Sequence, residues 1–410
     1  MLSSKQQDFL QRCDHRWNVK TGATGSGKSW LDYAVVIPQR LLAMRGEGAA
    51  VILGNTQGTA NRNILEPMRD IWGEQLVGTI GSDNSAKLFG RKVYVMGADN
   101  KKHVARIQGM TIEYAYGDEI TTWAEGVFQM LKSRLRCPHS HFDGTCNPDA
   151  PKHWFKTFLD SGADIYCQPS TIFDNPFLPK EFVENLCKEY AGTVYYNRFI
   201  LGQWVAAEGV VYRQFADDPE RFIMDDLPEG DAIRNAVIGV DFGGGTSAHA
   251  FCCMGFTVKG RMVVLDEYRE KAALTPDKLA RDFVDFVRRC KARWLVTDCW
   301  CDSAEQTLIN GLRSAAASAG LGLNIGNAMK RAINDRIRAT CILMGSGRFF
   351  VARNCVETID ALKSALWDAK HVTEDVRLDD GTTNIDNLDA MEYSFEREIP
   401  GLIDGWRFTA

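Results

Sequence analysis

Short apolar runs alternate with amphipathic stretches through the first 205 residues, the pattern of βα units laid on a mainly parallel sheet. The runs predict strands at Trp17–Thr21, Ala50–Leu53, Val93–Met96, Ile112–Tyr116 and His141–Thr145, with helices behind several of them, as at Lys28–Leu42 and Thr59–Trp72. Between Gln203 and Asp231 the texture turns to Gly, Pro and acidic residues, a linker signature. A second pattern begins at Ala236–Asp241. It reads strand, Gly-rich turn, strand (Ala248–Phe256), strand (Met262–Tyr268), helix (Pro276–Cys290) and strand (Trp294–Thr297), closing with helices rich in Ala and Arg. The pattern predicts an α/β domain over 1–205, a linker over 206–235 and a second mixed α/β domain over 236–410.

Composition changes this picture little. The 410 residues are 45% hydrophobic and 25% charged, an ordinary globular balance. A net charge of −5 argues neither for nor against a nucleic-acid partner, because a basic channel can sit on an acidic protein. The first residues are polar, as no secretory leader would be, and no run approaches the ~18 apolar residues of a membrane span. The twelve cysteines are scattered and read as reduced thiols of a cytosolic protein. Cys137-x-His139-x-His141-x4-Cys146 carries zinc-ligand residue types at a spacing too tight for the usual pair-and-pair arrangement.

The chemistry concentrates after the first strand. Gly22-Ala-Thr-Gly25-Ser-Gly27-Lys28-Ser29 matches G-x-x-x-x-G-K-[ST], with an apolar strand before it and an amphipathic helix behind. Glycines let the loop curl its N–H groups onto phosphate oxygens, and the helix N-terminus adds partial positive charge. Lys28 would reach the β- and γ-phosphates of ATP and Ser29 would ligate Mg²⁺. The strand Ile112–Tyr116 runs into Asp118-Glu119, where Asp118 would hold Mg²⁺ through water and Glu119 would act as general base. Hydrolysis also calls for a cation on the transferring phosphoryl group. Arg134 and Arg136 are the candidates downstream of the acids, although two arginines this close are also an ordinary solvated pair.

Beyond the acids come Gly144-Thr145-Cys-Asn147-Pro148, His153-Trp154, Asp174-Asn175-Pro176-Phe-Leu-Pro179 and Gly202-Gln-Trp204-Val-Ala-Ala-Glu208-Gly209-Val-Val-Tyr212. This series, in this order, resembles the large terminase subunit of tailed bacteriophages over nearly the whole chain. The resemblance implies a P-loop ATPase of the ASCE type followed by a ribonuclease H-like nuclease. It makes Thr145 and Asn147 sensors of the γ-phosphate that couple hydrolysis to movement. Gln6 or Gln7, with Gln7 carried forward, resembles the family's adenine-reading glutamine. Implied partners are double-stranded DNA, the portal protein of the procapsid and the small terminase subunit. A homo-oligomeric ring, a pentamer in the family, would dock transiently on the procapsid in the host cytoplasm, with no membrane involved.

The second domain offers carboxylates to the implied nuclease. Asp241 ends an apolar strand, Asp298 and Asp302 lie in Trp294-Leu-Val-Thr-Asp-Cys-Trp-Cys-Asp-Ser-Ala-Glu305, and Asp386 and Asp389 open a helix with acids three apart on one face. Three carboxylates from distant parts of a chain can hold two Mg²⁺ or Mn²⁺ ions about 4 Å apart, which activate water and stabilise the leaving oxygen of a phosphodiester. Each aspartate taken alone is more commonly a cap or a surface acid. The family pattern favours Asp241, Asp302 and Asp389. Asp298 is a rival middle ligand at the expected strand end, and Asp386 an outer one. The competing reading is a P-loop helicase or translocase whose C-terminal half only binds nucleic acid or partners.

Overall fold

A computed structural model describes residues 2–243, 247–271, 274–371, 373–380 and 384–403; Gly244–Thr246 of the Gly-rich turn lie outside them. Contacts divide the chain into two compact units, one mainly from residues up to Val183 with Tyr195–Ala206, the other mainly from Glu184–Val194 and from Ala207 onward.

Seven strands form the sheet of the first unit: β1 (Trp17–Gly22), β2 (Ala49–Gly54), β3 (Ser85–Leu88), β4 (Arg91–Gly97), β5 (Ile112–Gly117), β6 (His141–Cys146) and β7 (Ile165–Ser170). Their order is β3-β4-β2-β5-β6-β1-β7, parallel except for the β3–β4 pair. Alternation along β2 explains the burial on both faces. Val51 and Leu53 pack with Trp17, Val19 and Phe128 on one side, while Ala50 and Ile52 pack with Ile37, Leu41 and Ile64 on the other. β6 lies between β1, which carries the phosphate loop, and β5, which carries the acids. This interposed strand is the ASCE arrangement.

The second unit has its own seven-stranded sheet: β8 (Ile223–Met224), β9 (Ile233–Asp241), β10 (His249–Thr257), β11 (Met262–Glu270), β12 (Val296–Cys301), β13 (Asn324–Asn327) and β14 (Phe349–Ala352). The order is β13-β12-β9-β10-β11-β14-β8, with β9–β10–β11 an antiparallel meander and the other pairs parallel. One face of β9 (Ala236, Ile238, Val240) packs on the helix Pro276–Lys291 through Phe283, Phe286 and Val287. That helix starts at Thr275, whose hydroxyl accepts from the Lys278 amide. The other face of β9 meets the helix Asp386–Phe395. A Cβ on Gly239 would sit 1.8 Å from the Ala390 carbonyl oxygen, so only glycine lets this helix lie against the strand. Residues 207–235, expected as a linker, belong to the second unit, where Tyr212 and Phe215 are fully buried.

Candidate active sites

In the first unit the residues that bear on phosphate chemistry meet at the C-terminal edge of the sheet. The loop after β1 turns through Gly25 and Gly27, at φ 71° and 83°, a left-handed conformation that glycine adopts freely. Lys28 opens the following helix and folds back over the loop. Its ammonium donates to the Gly22 and Ala23 carbonyls at 2.9 and 2.6 Å, to Ser26 Oγ at 3.3 Å and to Asn147 Oδ1 at 3.3 Å. Ser29 follows it in the first turn of that helix. Asp118, just past the end of β5, accepts from Thr145 Oγ1 at 3.0 Å and from Asn63 Nδ2 at 3.1 Å. Thus β1, β6 and β5 each deliver one component, and Thr145 on the middle strand and Asn147 just past its end touch the two flanks.

Glu119 holds φ 52°, ψ 49°, unusual for a residue with a Cβ. Non-glycine strain of this kind gathers where a side chain must be aimed. Burial pushes the Lys28 ammonium down to about 8, against the pull of the Asp118 and Glu119 carboxylates. In the role expected from the motif, Lys28 would meet bound phosphates as the charged amine, so binding would take up a proton wherever the free site has lost it. ATP affinity should stay level below pH 8 and fall above it, to about tenfold weaker at pH 9 than at pH 7. Titration calorimetry at both values in two buffers of different ionisation heat measures this, and a flat profile would contradict it.

Other candidates fall differently. Gln6, not Gln7, lies against the loop: Gln6 Nε2 donates to the Gly27 carbonyl at 3.1 Å, and its amide and side chain close a reciprocal cap with Ser3. Gln7 faces solvent on the next helical position and reaches only the Leu2 carbonyl. Arg134 ends the helix Glu125–Arg134, with Nε beside Met130 Sδ, and exposed Arg136 donates to the Ser133 carbonyl. Between them Leu135 accepts from Arg16, which precedes β1. Both arginines therefore sit at the N-terminal edge of the sheet, a six-residue strand from the loop, or roughly 20 Å. The structure brings neither of them to Lys28 of the same chain. His139 turns to Glu113 at 3.0 Å and His141 to the His15 carbonyl, so the zinc-like run points its side chains apart.

The carboxylates of the second unit gather around the end of β9. β12 runs four residues past its expected end, pairing Cys301 with Val240, and the Asp302 amide donates to the Val240 carbonyl at 2.9 Å. Asp302 therefore stands beside Asp241. Asp298 pairs with Val237, four residues down the strand, and its carboxylate accepts from Thr297 and Asn324, both at 2.7 Å. Asp386 and Asp389 enter from the helix across β9. Asp386 accepts from the Ala248 amide at 3.1 Å. Burial, then the charges of Asp389, Asp302 and Asp386, hold the Asp241 carboxyl well above the usual range, with Lys330 opposing.

Basic residues that no sequence motif marks answer these acids. Lys330 Nζ lies 2.5 Å from Asp302 Oδ1; Arg336 and Arg377 reach Asp389 Oδ1 at 2.9 and 2.7 Å. The same two arginines hold Glu392, which also accepts from Tyr212 at 2.6 Å. Among the described residues no three His, Cys, Asp or Glu side chains come together in a geometry that could hold a metal ion. The donor set suits a hard divalent cation, but Asp302 and Asp389 spend oxygens on ammonium and guanidinium partners. Asn63 and Asn175, which donate to Asp118 and to the Gly25 carbonyl respectively, also went unnoticed; only Asn175 carried a signal, through its place in the Asp-Asn-Pro run.

Residues 21–216 match the family described as terminase large subunit, T4likevirus-type, N-terminal. Among solved structures, the large terminase of a thermophilic bacteriophage superposes with a TM-score of 0.83 at 22% identity, over 97% of this chain and 99% of that one. The same phage protein in complex with ADP gives 0.81 at 22% identity over 98% and 100%, and in complex with ATP-γ-S 0.79 at 22% over 96% and 98%. At this identity the likeness is one of fold. No curated protein sequence matches the chain. No described helix is long and apolar enough to cross a membrane.

Proposed function

We propose that the chain, whose residues 21–216 match the N-terminal family model of the large terminase subunit and whose fold is shared along its length with a phage large terminase, is a DNA-packaging motor that hydrolyses ATP in its first unit and cuts double-stranded DNA in its second. The observation that carries the motor is the meeting of Lys28 with Asn147 and of Asp118 with Thr145, because it joins the phosphate loop to the acids through the intervening strand.

Lys28 would leave its carbonyl partners for the β- and γ-phosphates, keeping a cation on the transferring group. Ser29 and Asp118 would hold Mg²⁺, which neutralises charge on the phosphates when bound. Glu119, aimed by its left-handed backbone, would take the proton of the attacking water. Thr145 and Asn147, bonded to the two halves of the site, would register loss of the γ-phosphate and pass it down β6. Gln6 is the adenine-reading glutamine of this proposal. Arg134 and Arg136, at the opposite edge of the sheet, would act only on the site of a neighbouring subunit, as a head-to-tail ring would allow. Duplex DNA, the portal and the small subunit are the partners that this role requires.

For the nuclease, Asp241, Asp302 and Asp389 would hold Mg²⁺ or Mn²⁺, with Asp386 behind them. Divalent ions there supply an activated water and stabilise the leaving oxygen. The chain's own part is to collect acids on β9, on the end of β12 and on one helix, over a backbone contact that Gly239 permits. The ties from Lys330, Arg336 and Arg377 favour the rival reading of a neutralised binding face. Plasmid nicking with Mn²⁺ therefore separates the two.

The motor reading is tested by steady-state ATP hydrolysis in wild type and Lys28→Ala. Loss of the variant's activity to background, with the fold intact by circular dichroism, is expected; substantial hydrolysis in the variant would sink the phosphate-site assignment.

A further inference from the structure

Lys330 is presented to the acidic cluster by a small, rigid and strained piece of backbone. The chain leaves β13 with the Ala328 amide donating to the Cys301 carbonyl at 2.7 Å, which continues the pairing past the end of β12. The next three amides, of Met329, Lys330 and Arg331, all point at the carboxylate of Glu396, with the last two at 3.2 Å. Three successive N–H groups around one anion form a nest. Glu396 is fully buried and lies directly behind the helix that carries Asp386 and Asp389; Arg331 Nε also donates to its carbonyl at 3.1 Å. Closing this nest puts Lys330 at φ 50°, a left-handed conformation that is unfavourable for a residue with a side chain. Its ammonium then rests 2.5 Å from Asp302 Oδ1. A surface lysine, about two-fifths exposed, is thus held by a buried carboxylate and a strained backbone in contact with one particular acid.

Mutual repulsion explains why such a device is useful. Asp302, beside Asp241 at the ends of β12 and β9, and Asp386 and Asp389, on the helix across β9, lie near enough for their charges to act on Asp241. Arg336 and Arg377 answer Asp389, and Arg269 stands 3.7 Å from Asp386. Asp302 has Lys330 as its cation. We infer that Lys330 is a built-in counter-cation of the cluster: it holds Asp302 in the resting protein, must yield that oxygen before a divalent ion can share it, and so sets the ion concentration at which the cluster fills. Lys330 is a positioning residue in this role, and the inference rests on the reading of the cluster as a divalent-ion site.

The test is Mn²⁺ binding to the full chain, without nucleotide or DNA, by titration calorimetry. An opposite charge in contact shifts the proton affinity of a carboxylate roughly tenfold or more. Lys330→Met, which keeps the aliphatic stem, should therefore bind Mn²⁺ about tenfold more tightly than wild type. It should also melt at a lower temperature without metal and gain more from Mn²⁺. Adding Asp302→Asn to Lys330→Met should abolish the gain, which locates it at this cluster. Glu396→Gln, which loosens the nest, should shift affinity in the same direction by less. If wild type binds Mn²⁺ and Lys330→Met binds it equally, the counter-cation role fails while the ion site stands. If neither protein binds Mn²⁺ at the cluster, both fail together.

Discussion

With Glu119 replaced by glutamine, the chain should still bind ATP and should turn it over at least about a hundredfold more slowly. The amide keeps the shape of the side chain and cannot take a proton from water. Binding should survive because the proposed contacts to phosphate come from Lys28 and the loop that follows β1, whereas Glu119 stands beyond β5, two strands away. The left-handed backbone at Glu119 sharpens the expectation, because strain is tolerated where aim matters. Equilibrium binding of a fluorescent ATP analogue, set beside single-turnover hydrolysis, separates the two steps. Lost binding would give Glu119 a structural role, and unimpaired turnover would move the base elsewhere.

Asp241→Asn carries the second large effect. Cleavage of plasmid DNA with Mn²⁺ should fall below detection while ATP hydrolysis stays at the wild-type rate, since the acids belong to a sheet separate from the one that bears the phosphate loop. The same change should make the second unit more stable at neutral pH in the absence of metal. Burial and three neighbouring carboxylates raise the Asp241 carboxyl, so the folded state holds that proton more tightly than the unfolded chain. Its contribution is fully present below the unfolded value of about 4 and is lost as pH rises through the folded one. Asparagine carries no charge and escapes that loss. A rise in melting temperature of a few degrees is expected at pH 7, the scale on which roughly 1 kcal/mol moves a unit of this size. The gain should vanish at pH 4. Unchanged cleavage would make the acids a solvated face, and a lower melting temperature at pH 7 would deny the repulsion.

Much of this arrangement was legible in the sequence, for reasons that particular residues make plain. Buried strands of a parallel sheet are short apolar runs, so β1, β2, β4, β5 and β6 were found within about two residues of their ends. The strands missed are too short or too mixed to stand out, β14 among them although its four residues are all apolar. β8, β13 and β14 have two, four and four residues, and β7 alternates Tyr166, Gln168 and Ser170 with Cys167 and Pro169 at the sheet edge. Motif spacing places Lys28 at a helix start because strand, loop and helix are contiguous. It cannot say on which edge of the sheet a later residue falls. Arg134 and Arg136 follow the acids closely in sequence, yet the helix Glu125–Arg134 carries the chain back across the sheet before β6 begins. Ending β12 at Thr297 instead of Cys301 similarly exchanged Asp298 for Asp302 as the strand-end acid. Gln6 and Gln7 are adjacent on a helix, where neighbours point about 100° apart, and that one step decides which meets Gly27. The basic partners left no local signal at all. Lys330, Arg336 and Arg377 are ordinary cations in a chain with 48 lysines and arginines, and only the fold brings them to Asp302 and Asp389.

The two chemistries proposed for this chain, each with its own carboxylates, should be separable by one substitution in each unit. The most direct measurement follows ATP hydrolysis and Mn²⁺-dependent plasmid nicking side by side in wild type, Glu119→Gln and Asp241→Asn, prepared identically. Wild type should show both activities, Glu119→Gln should keep nicking and lose hydrolysis, and Asp241→Asn should keep hydrolysis and lose nicking. A wild type that hydrolyses ATP and never nicks, or variants that lose both activities together, would contradict the division of labour proposed for the two units.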